Sequence, residues 1–335
     1  MKKTVSAILA IMLAGMLFAA APAAGEAGGD LKKITFCLDW TPNTNHTGIY
    51  AAEALGYYRE AGLAVEIVQP PENGAVLMCA AGQAQFAVDA QDTMAASLDL
   101  EEPLQITAVA AILQHNTSGI LSRRGDGISS AKGLEDRIYA TWDSPIEQAM
   151  LRFCMEKEDG DFSRVKLVPN NITDEPAALN AHQIDAVWVF YGWSGINAEV
   201  CGVACDFWDF ASISAELDYY TPVILANNDF LRDDPEGARA FLAATAKGYR
   251  YAAEHPEEAA EMLIAGDTTG SLSDARELVY ASQAWLSGQY IADESAWGVI
   301  RPERWNAFYT WLYSNGLSTH DLSGTGFSND YLPEE

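Results

Sequence analysis

Basic residues are scarce in this chain: 20 Lys and Arg stand against 47 Asp and Glu, a formal net charge of −27. A surface of that sign neither neutralises phosphates nor adheres to anionic headgroups, which argues against nucleic acid and charged membrane surfaces as partners. Catalytic signatures are missing too. There is no Walker loop, no HExxH and no glycine-rich dinucleotide fingerprint after the first strand. Gly192-Trp193-Ser194-Gly195 brings its second glycine one residue too early for a nucleophile elbow. His46, His115, His182, His255 and His320 are dispersed, with no cysteine at metal-ligand spacing beside them, so no metal site is expected. Among Cys37, Cys79, Cys154, Cys201 and Cys205 only the last two are close. They either bridge in an oxidising compartment or stay reduced as buried small hydrophobic residues.

Long apolar runs are absent from all but the N-terminus. Lys2-Lys3, an apolar stretch from Val5 to Ala21 and small residues through Ala24 follow the order of a secretory signal, so residues 1–24 are set aside as a signal peptide. The nearest cysteine to that leader is Cys37, so the thiol that lipid acylation needs is missing. The expected location is extracytoplasmic, periplasmic or secreted. No run of spanning length follows the leader.

What is present is an alternation of short apolar strands with helical stretches. ITFCLDW, TGIYAAEALGYYREAG, LAVEIVQP, GAVLMCAAGQA and FAVDA succeed one another, a pattern of βαβ units in an α/β protein. After Gly119 the same grammar returns in RIYATW, PIEQAMLRFCMEKE, VKLVP, EPAALNAHQ and IDAVWVFYGW. YTPVILANNDFL is a further extended run, and helices dominate thereafter. At this length two lobes are expected: residues 31–118 begin the first, 119–220 form the second, and 221–330 return to the first, mostly as helices. Chain crossings are expected near Leu113–Leu121, where Gln114-His115-Asn116 lies, and near Tyr220–Leu225. Paired crossings are what a hinged clamp requires.

In open α/β sheets ligands sit beyond the carboxyl ends of strands. Those positions hold Trp40, Asn43 and His46 after the first strand, and Gln91 and Asp92 after the third. The second half supplies Trp142, Ser144 and Glu147, then Tyr191 and Trp193. Indole faces stack on flat heteroaromatic rings while amides and carboxylates read ring nitrogens and amino groups, so a small aromatic nutrient suits this set. Competing readings stand beside this one. Trp40 and Trp193 also suit core packing, Asn43 a turn after Pro42, and Ser144-Pro145-Ile146-Glu147 is a capping box that starts a helix.

LDWTPNTNHTGIYAAEALGYYREAGLAVEIVQPPENGA resembles the NMT1/THI5-like substrate-binding proteins, in particular the ThiY type serving thiamine-precursor uptake. QFAVDAQDT, QHNTSGI, SPIEQAML, DYYTPVILANNDFL and NAFYTWLYSNGL extend the likeness over nearly the whole chain past the leader. The resemblance implies a type II periplasmic-binding-protein fold with two α/β lobes joined by a two-strand hinge, acting without a cofactor as a monomer. It also implies capture of formylaminopyrimidine or hydroxymethylpyrimidine for an ABC permease and its ATPase. Two departures bear on the ligand. Ser194 stands where relatives often carry an acidic residue after YGW, and Ala140-Thr141-Trp142-Asp143 replaces a Gly-Gly-Trp-Gly run. Asp143, Glu147 and Asp92 are the alternative carboxylates. Another flat heteroaromatic such as riboflavin, or a sulfonate, is the alternative cargo. A pyrimidine-synthesising enzyme shares the fold but carries a dense cysteine motif that this chain lacks.

Overall fold

The computed structural model describes residues 31–334, so the leader at 1–24 lies outside the described residues. Among the described residues ten strands form two sheets of five. The first holds β1 (Lys32–Cys37), β2 (Leu63–Val68), β3 (Phe86–Asp89), β4 (Ile106–Ala111) and, much later in the chain, β10 (Val223–Asn227). The second holds β5 (Ser118–Arg123), β6 (Ile138–Thr141), β7 (Lys166–Pro169), β8 (Ala186–Phe190) and β9 (Cys205–Asp209).

The strand orders are β2-β1-β3-β10-β4 and β7-β6-β8-β5-β9. Both follow one plan. Three parallel strands are laid down by βαβ crossovers, and the strand arriving from the other half inserts antiparallel at the fourth position, as β10 does between β3 and β4 and β5 between β8 and β9. The chain therefore crosses between the halves twice, at residues 112–117 and 210–222. β10 is buried along its whole length, so its sequence VILAN reads as a nearly continuous apolar run without alternation.

The C-terminal helices pack back on the first sheet. Helix Pro235–Glu254 starts where Asp234 accepts a hydrogen bond from the Gly237 amide at 3.1 Å, with Pro at its first position. Ala238, Phe241, Leu242, Thr245, Tyr249 and Ala252 recur at helical spacing and form its buried face. Phe241 stacks on Phe86 with ring centroids 4.0 Å apart and on Tyr58 at 5.3 Å. Burying one such ring contributes on the order of 2–3 kcal/mol. The helix crosses helix Thr47–Ala54 so closely that a Cβ on Gly48 would lie 2.2 Å from the Tyr249 ring and one on Gly248 would lie 2.0 Å from the Gly48 carbonyl oxygen. That crossing fixes the helix which follows the first strand-end loop.

No helix among the described residues is long and apolar enough to cross a membrane. The described cysteines are all unpaired. Cys37, Cys79 and Cys154 are buried, Cys205 is half-buried and Cys201 is exposed, which departs from the reading of the last as a small core residue. Burial pushes the Cys79 and Cys154 thiols up to about 12 and leaves them inert.

Candidate functional site

The loop after β1 is built by its own polar groups. Asn43 caps a short 3₁₀ turn, Thr44–His46, its side-chain oxygen accepting from the Asn45 amide at 2.9 Å while its Nδ2 donates to the Thr41 carbonyl at 3.1 Å. His46 is fully buried. Its Nδ1 accepts from the Asn43 amide at 3.2 Å, so Nε2 carries the proton and donates to Asp39 Oδ1 at 2.7 Å. Burial opposes the charge on Asp39, but the hydrogen bond from His46 and the amides of Asp39 and Trp40 outweigh it and hold this carboxyl below its ordinary range. With every neighbour anchored, Trp40 stands out at 70% exposure.

At the end of β3 the pattern differs. Gln91 is fully buried, its Nε2 donating to the Trp305 carbonyl at 2.8 Å and its Oε1 accepting from the Tyr220 amide at 3.0 Å. It ties the second crossing to helix Pro302–Ser314 and has no polar atom left for a guest. Two acids flank it. Burial pushes Asp92 up, partly countered by the amides of Asp92 and Thr93 and by the Tyr219 hydroxyl. Asp89 goes further: one carboxylate oxygen accepts from Thr93 at 2.5 Å, the other is buried with no partner, and burial, with Asp92 and Asp39 nearby, pushes its pKa up to about 7.

In the second half, Ser144 accepts from the Glu147 amide at 3.5 Å and starts helix Pro145–Lys157. The capping box is half formed. Glu147 is buried, and its carboxylate turns to the strand end instead, accepting from Tyr139 at 2.7 Å, Thr141 at 2.8 Å and the Trp142 amide at 3.3 Å. It thereby aims Trp142, which is 52% exposed and leans on Trp188 with ring centroids 5.9 Å apart. After β8 the chain makes a wide π-helical turn, Tyr191–Gly195. Such turns interrupt regular hydrogen bonding and frequently mark functional positions. The Tyr191 hydroxyl donates to Glu199 and its ring packs against Trp285 at 5.2 Å. Trp193 is half-buried and packs against the apolar cluster of the first half.

The sequence-predicted positions thus separate into two groups. The polar atoms of Asn43, His46, Gln91, Ser144 and Glu147, and the Tyr191 hydroxyl, are engaged within the protein. Asp92 takes the amides of Asp92 and Thr93 and the Tyr219 hydroxyl, which leaves the indoles of Trp40 and Trp142, both exposed, and of Trp193, half-buried. Sequence reasoning missed Asp89, whose signal was an acid ending the apolar strand FAVD. An open groove of about 610 Å³ runs along β9, lined by Tyr191, Glu199, Cys205 and Asp206, and contains neither Trp40 nor Trp193. The two tryptophan loops are linked instead through Ser282 on helix Arg276–Leu286. Ser282 donates to the Gly192 carbonyl and lies 2.5 Å from the Thr44 hydroxyl. No cluster of three potential metal ligands occurs among the described residues.

Two lobes of one strand plan, joined by two crossings with aromatic and acidic groups at their strand ends, define a type II periplasmic-binding-protein fold. The periplasmic nitrate-binding protein NrtA from Synechocystis PCC 6803 shares it, with a TM-score of 0.67 at 13% identity over 90% of this chain and 87% of that one. The chain belongs to the NMT1/THI5-like family, which it matches over residues 43–259. A formylaminopyrimidine-binding protein from Halalkalibacterium halodurans is 25% identical over 313 residues, 91% of this chain and 92% of that protein. A 4-amino-5-hydroxymethyl-2-methylpyrimidine phosphate synthase, THI11 of Saccharomyces cerevisiae, is 25% identical over 242 residues, 68% of this chain and 69% of the synthase.

Proposed function

We propose that this protein is the extracytoplasmic solute-binding subunit of an ABC importer and captures a thiamine pyrimidine precursor, formylaminopyrimidine or hydroxymethylpyrimidine, without chemically changing it. The observation that carries this reading is Asp89, a half-buried residue at the end of β3 beside Asp92, one of whose carboxylate oxygens is buried and unpartnered. An aminopyrimidine presents an amine that donates and a ring nitrogen that accepts or takes a proton. A carboxyl that changes charge near neutrality meets both needs, donating to the ring nitrogen when protonated or pairing with the protonated ring when ionised. Trp40, Trp142 and Trp193 supply the stacking faces. The carboxylate absent at Ser194 is then provided from the other lobe.

A sulfonate cargo is disfavoured by the same geometry. Residues 38–46 and 89–93 contain no Lys or Arg and three Asp, and a fixed anion placed there would meet like charge. A synthase reading requires a cofactor and a reactive group, yet the described thiols of the core are raised and inert and His46 is tied to Asp39 and Asn43. The working cycle is a population shift: a guest touching both lobes favours the closed arrangement that a permease with its ATPase reads. The subunit acts as a monomer.

Calorimetric titration of the purified protein with both pyrimidines, an alkanesulfonate and pyridoxal phosphate tests the reading. Binding of a pyrimidine alone is expected, weakened at least about tenfold by Asp89→Ala, since a hydrogen bond to a charged group contributes about 1.5–3 kcal/mol. Failure of both pyrimidines to bind removes the ligand assignment, and turnover with pyridoxal phosphate removes the binding-only role.

A further inference from the structure

We propose that Ser282 is the latch of the clamp, the residue whose hydroxyl holds the loop carrying Trp40 and the turn carrying Trp193 at one spacing. The inference rests on the two-lobe clamp reading above, but not on the identity of the ligand. Outside the two crossings, the bond from Ser282 to the Gly192 carbonyl is the one hydrogen bond among the described residues that joins the two lobes. Elsewhere the lobes meet through apolar contacts such as Phe153 against Trp311, ring centroids 5.4 Å apart, and Tyr191 against Trp285. Apolar contact tolerates sliding, whereas a hydrogen bond weakens steeply with distance and angle.

The proton order is fixed by chemistry. A carbonyl only accepts, so Ser282 donates to Gly192. Its single proton being used, Ser282 accepts from the Thr44 hydroxyl at 2.5 Å. The chain therefore runs one way, from Thr44 in the first strand-end loop through Ser282 to Gly192 in the second-lobe turn. Both ends are braced. The Tyr290 hydroxyl donates to the Thr44 carbonyl at 2.6 Å, and Gly192 sits so close to helix Arg276–Leu286 that a Cβ there would lie 3.0 Å from the Leu286 side chain and 3.1 Å from Trp285. Ser282 and Thr44 are themselves buried. In this arrangement the Gly192 carbonyl takes a protein donor, and on opening it returns to water, so the bond biases the lobes toward closure without strengthening either lobe alone. Ser282 is a positioning residue, acting on the guest only through the spacing of the two tryptophan loops.

Small-angle X-ray scattering of the ligand-free protein, paired with thermal unfolding, tests this. Ser282→Ala is expected to enlarge the radius of gyration, with no more than the few-degree fall in unfolding midpoint that losing the Thr44 bond brings, and Ser282→Thr, which keeps the hydroxyl, to scatter like the parent. A Ser282→Ala protein that scatters like the parent overturns the latch, as does one that loses stability with no change in size, which is the mark of a merely structural serine. Thr44→Val, which removes the bond within the first lobe and leaves the one to Gly192, is expected to scatter like the parent, and an expanded Thr44→Val overturns the assignment of the latch to the Ser282–Gly192 bond. Absence of pyrimidine binding by the parent would remove the ligand assignment alone, because the scattering comparison uses no ligand.

Discussion

Replacing Asp89 by Asn should make the protein more stable, and increasingly so as pH rises. Burial raises this carboxyl from 3.8 to about 7 in the folded chain, a shift of roughly three units. At about 1.4 kcal/mol per unit the ionised group costs the fold up to about 4 kcal/mol. Because the folded-state value lies above the unfolded one, the folded state holds the proton more tightly. The penalty is therefore absent below about pH 4, grows as pH climbs toward 7, and is complete above it. Relaxation and water entry lower the ceiling, so a gain of ~2 kcal/mol at pH 8 is expected, about 4 °C in unfolding midpoint for a chain of this size. At pH 5 the gain should be about half of that or less. Thermal unfolding of parent and variant across pH 4–9 measures the difference directly. A difference that does not grow between pH 5 and 8, or a variant less stable than the parent at pH 8, refutes the claim that Asp89 is held as a strained carboxyl. A residue that costs stability where it stands is retained for something other than folding, which links this measurement to the ligand titration.

Trp40→Ala should change stability by less than about 0.5 kcal/mol, because the ring is 70% exposed, yet weaken pyrimidine binding at least about tenfold in a calorimetric titration, a stacked ring contributing ~1 kcal/mol beyond the area it covers. Glu147→Ala strips two buried hydroxyls and the Trp142 amide of their acceptor, and should cost on the order of 2–4 kcal/mol in chemical denaturation. His115 bridges the crossings, its Nδ1 2.8 Å from Asp218 and its Nε2 3.0 Å from Asp293, with Arg304 also facing Asp218. The hydrogen bond from Asp218 raises its pKa above 6.5, so its contribution is complete below pH 6.5 and is lost as pH rises through the raised value. The midpoint of His115→Gln should lie below the parent by an amount worth about 1 kcal/mol or less at pH 6, the site being partly exposed, and the gap should close as pH rises, a gap independent of pH counting against the bridge.

Which residues end the strands was legible from the chain; which of their polar groups are already bonded was not. The rule that ligands gather beyond strand ends led to Trp40, Gln91, Trp142 and Trp193 from local pattern alone, and the alternation of apolar runs with helical stretches pointed to an α/β chain. β4, β5 and β9 escaped the reading. Two of them are buried on both faces and lack the period-2 alternation that marks a strand, and the third, β9, carries two aspartates in CDFWD. The site shows the same limit more sharply. Gln91 is matched by Trp305 and Tyr220, each more than a hundred residues away, and His46 and Glu147 by partners their local motifs did not name. No local spacing reports whether a polar group already has its bonds, because that is decided by elements the chain brings together only on folding. Ser282 carries no sequence signal at all, being one small residue on the buried face of an amphipathic helix. The same reasoning makes Asp89 informative. In a fold that supplies partners for Gln91, His46 and Glu147 around it, one Asp89 carboxylate oxygen has none within the described residues, a state it shares with both side-chain polar atoms of Gln114 and the indole nitrogens of Trp188, Trp208 and Trp311, and among these it alone belongs to an ionisable group.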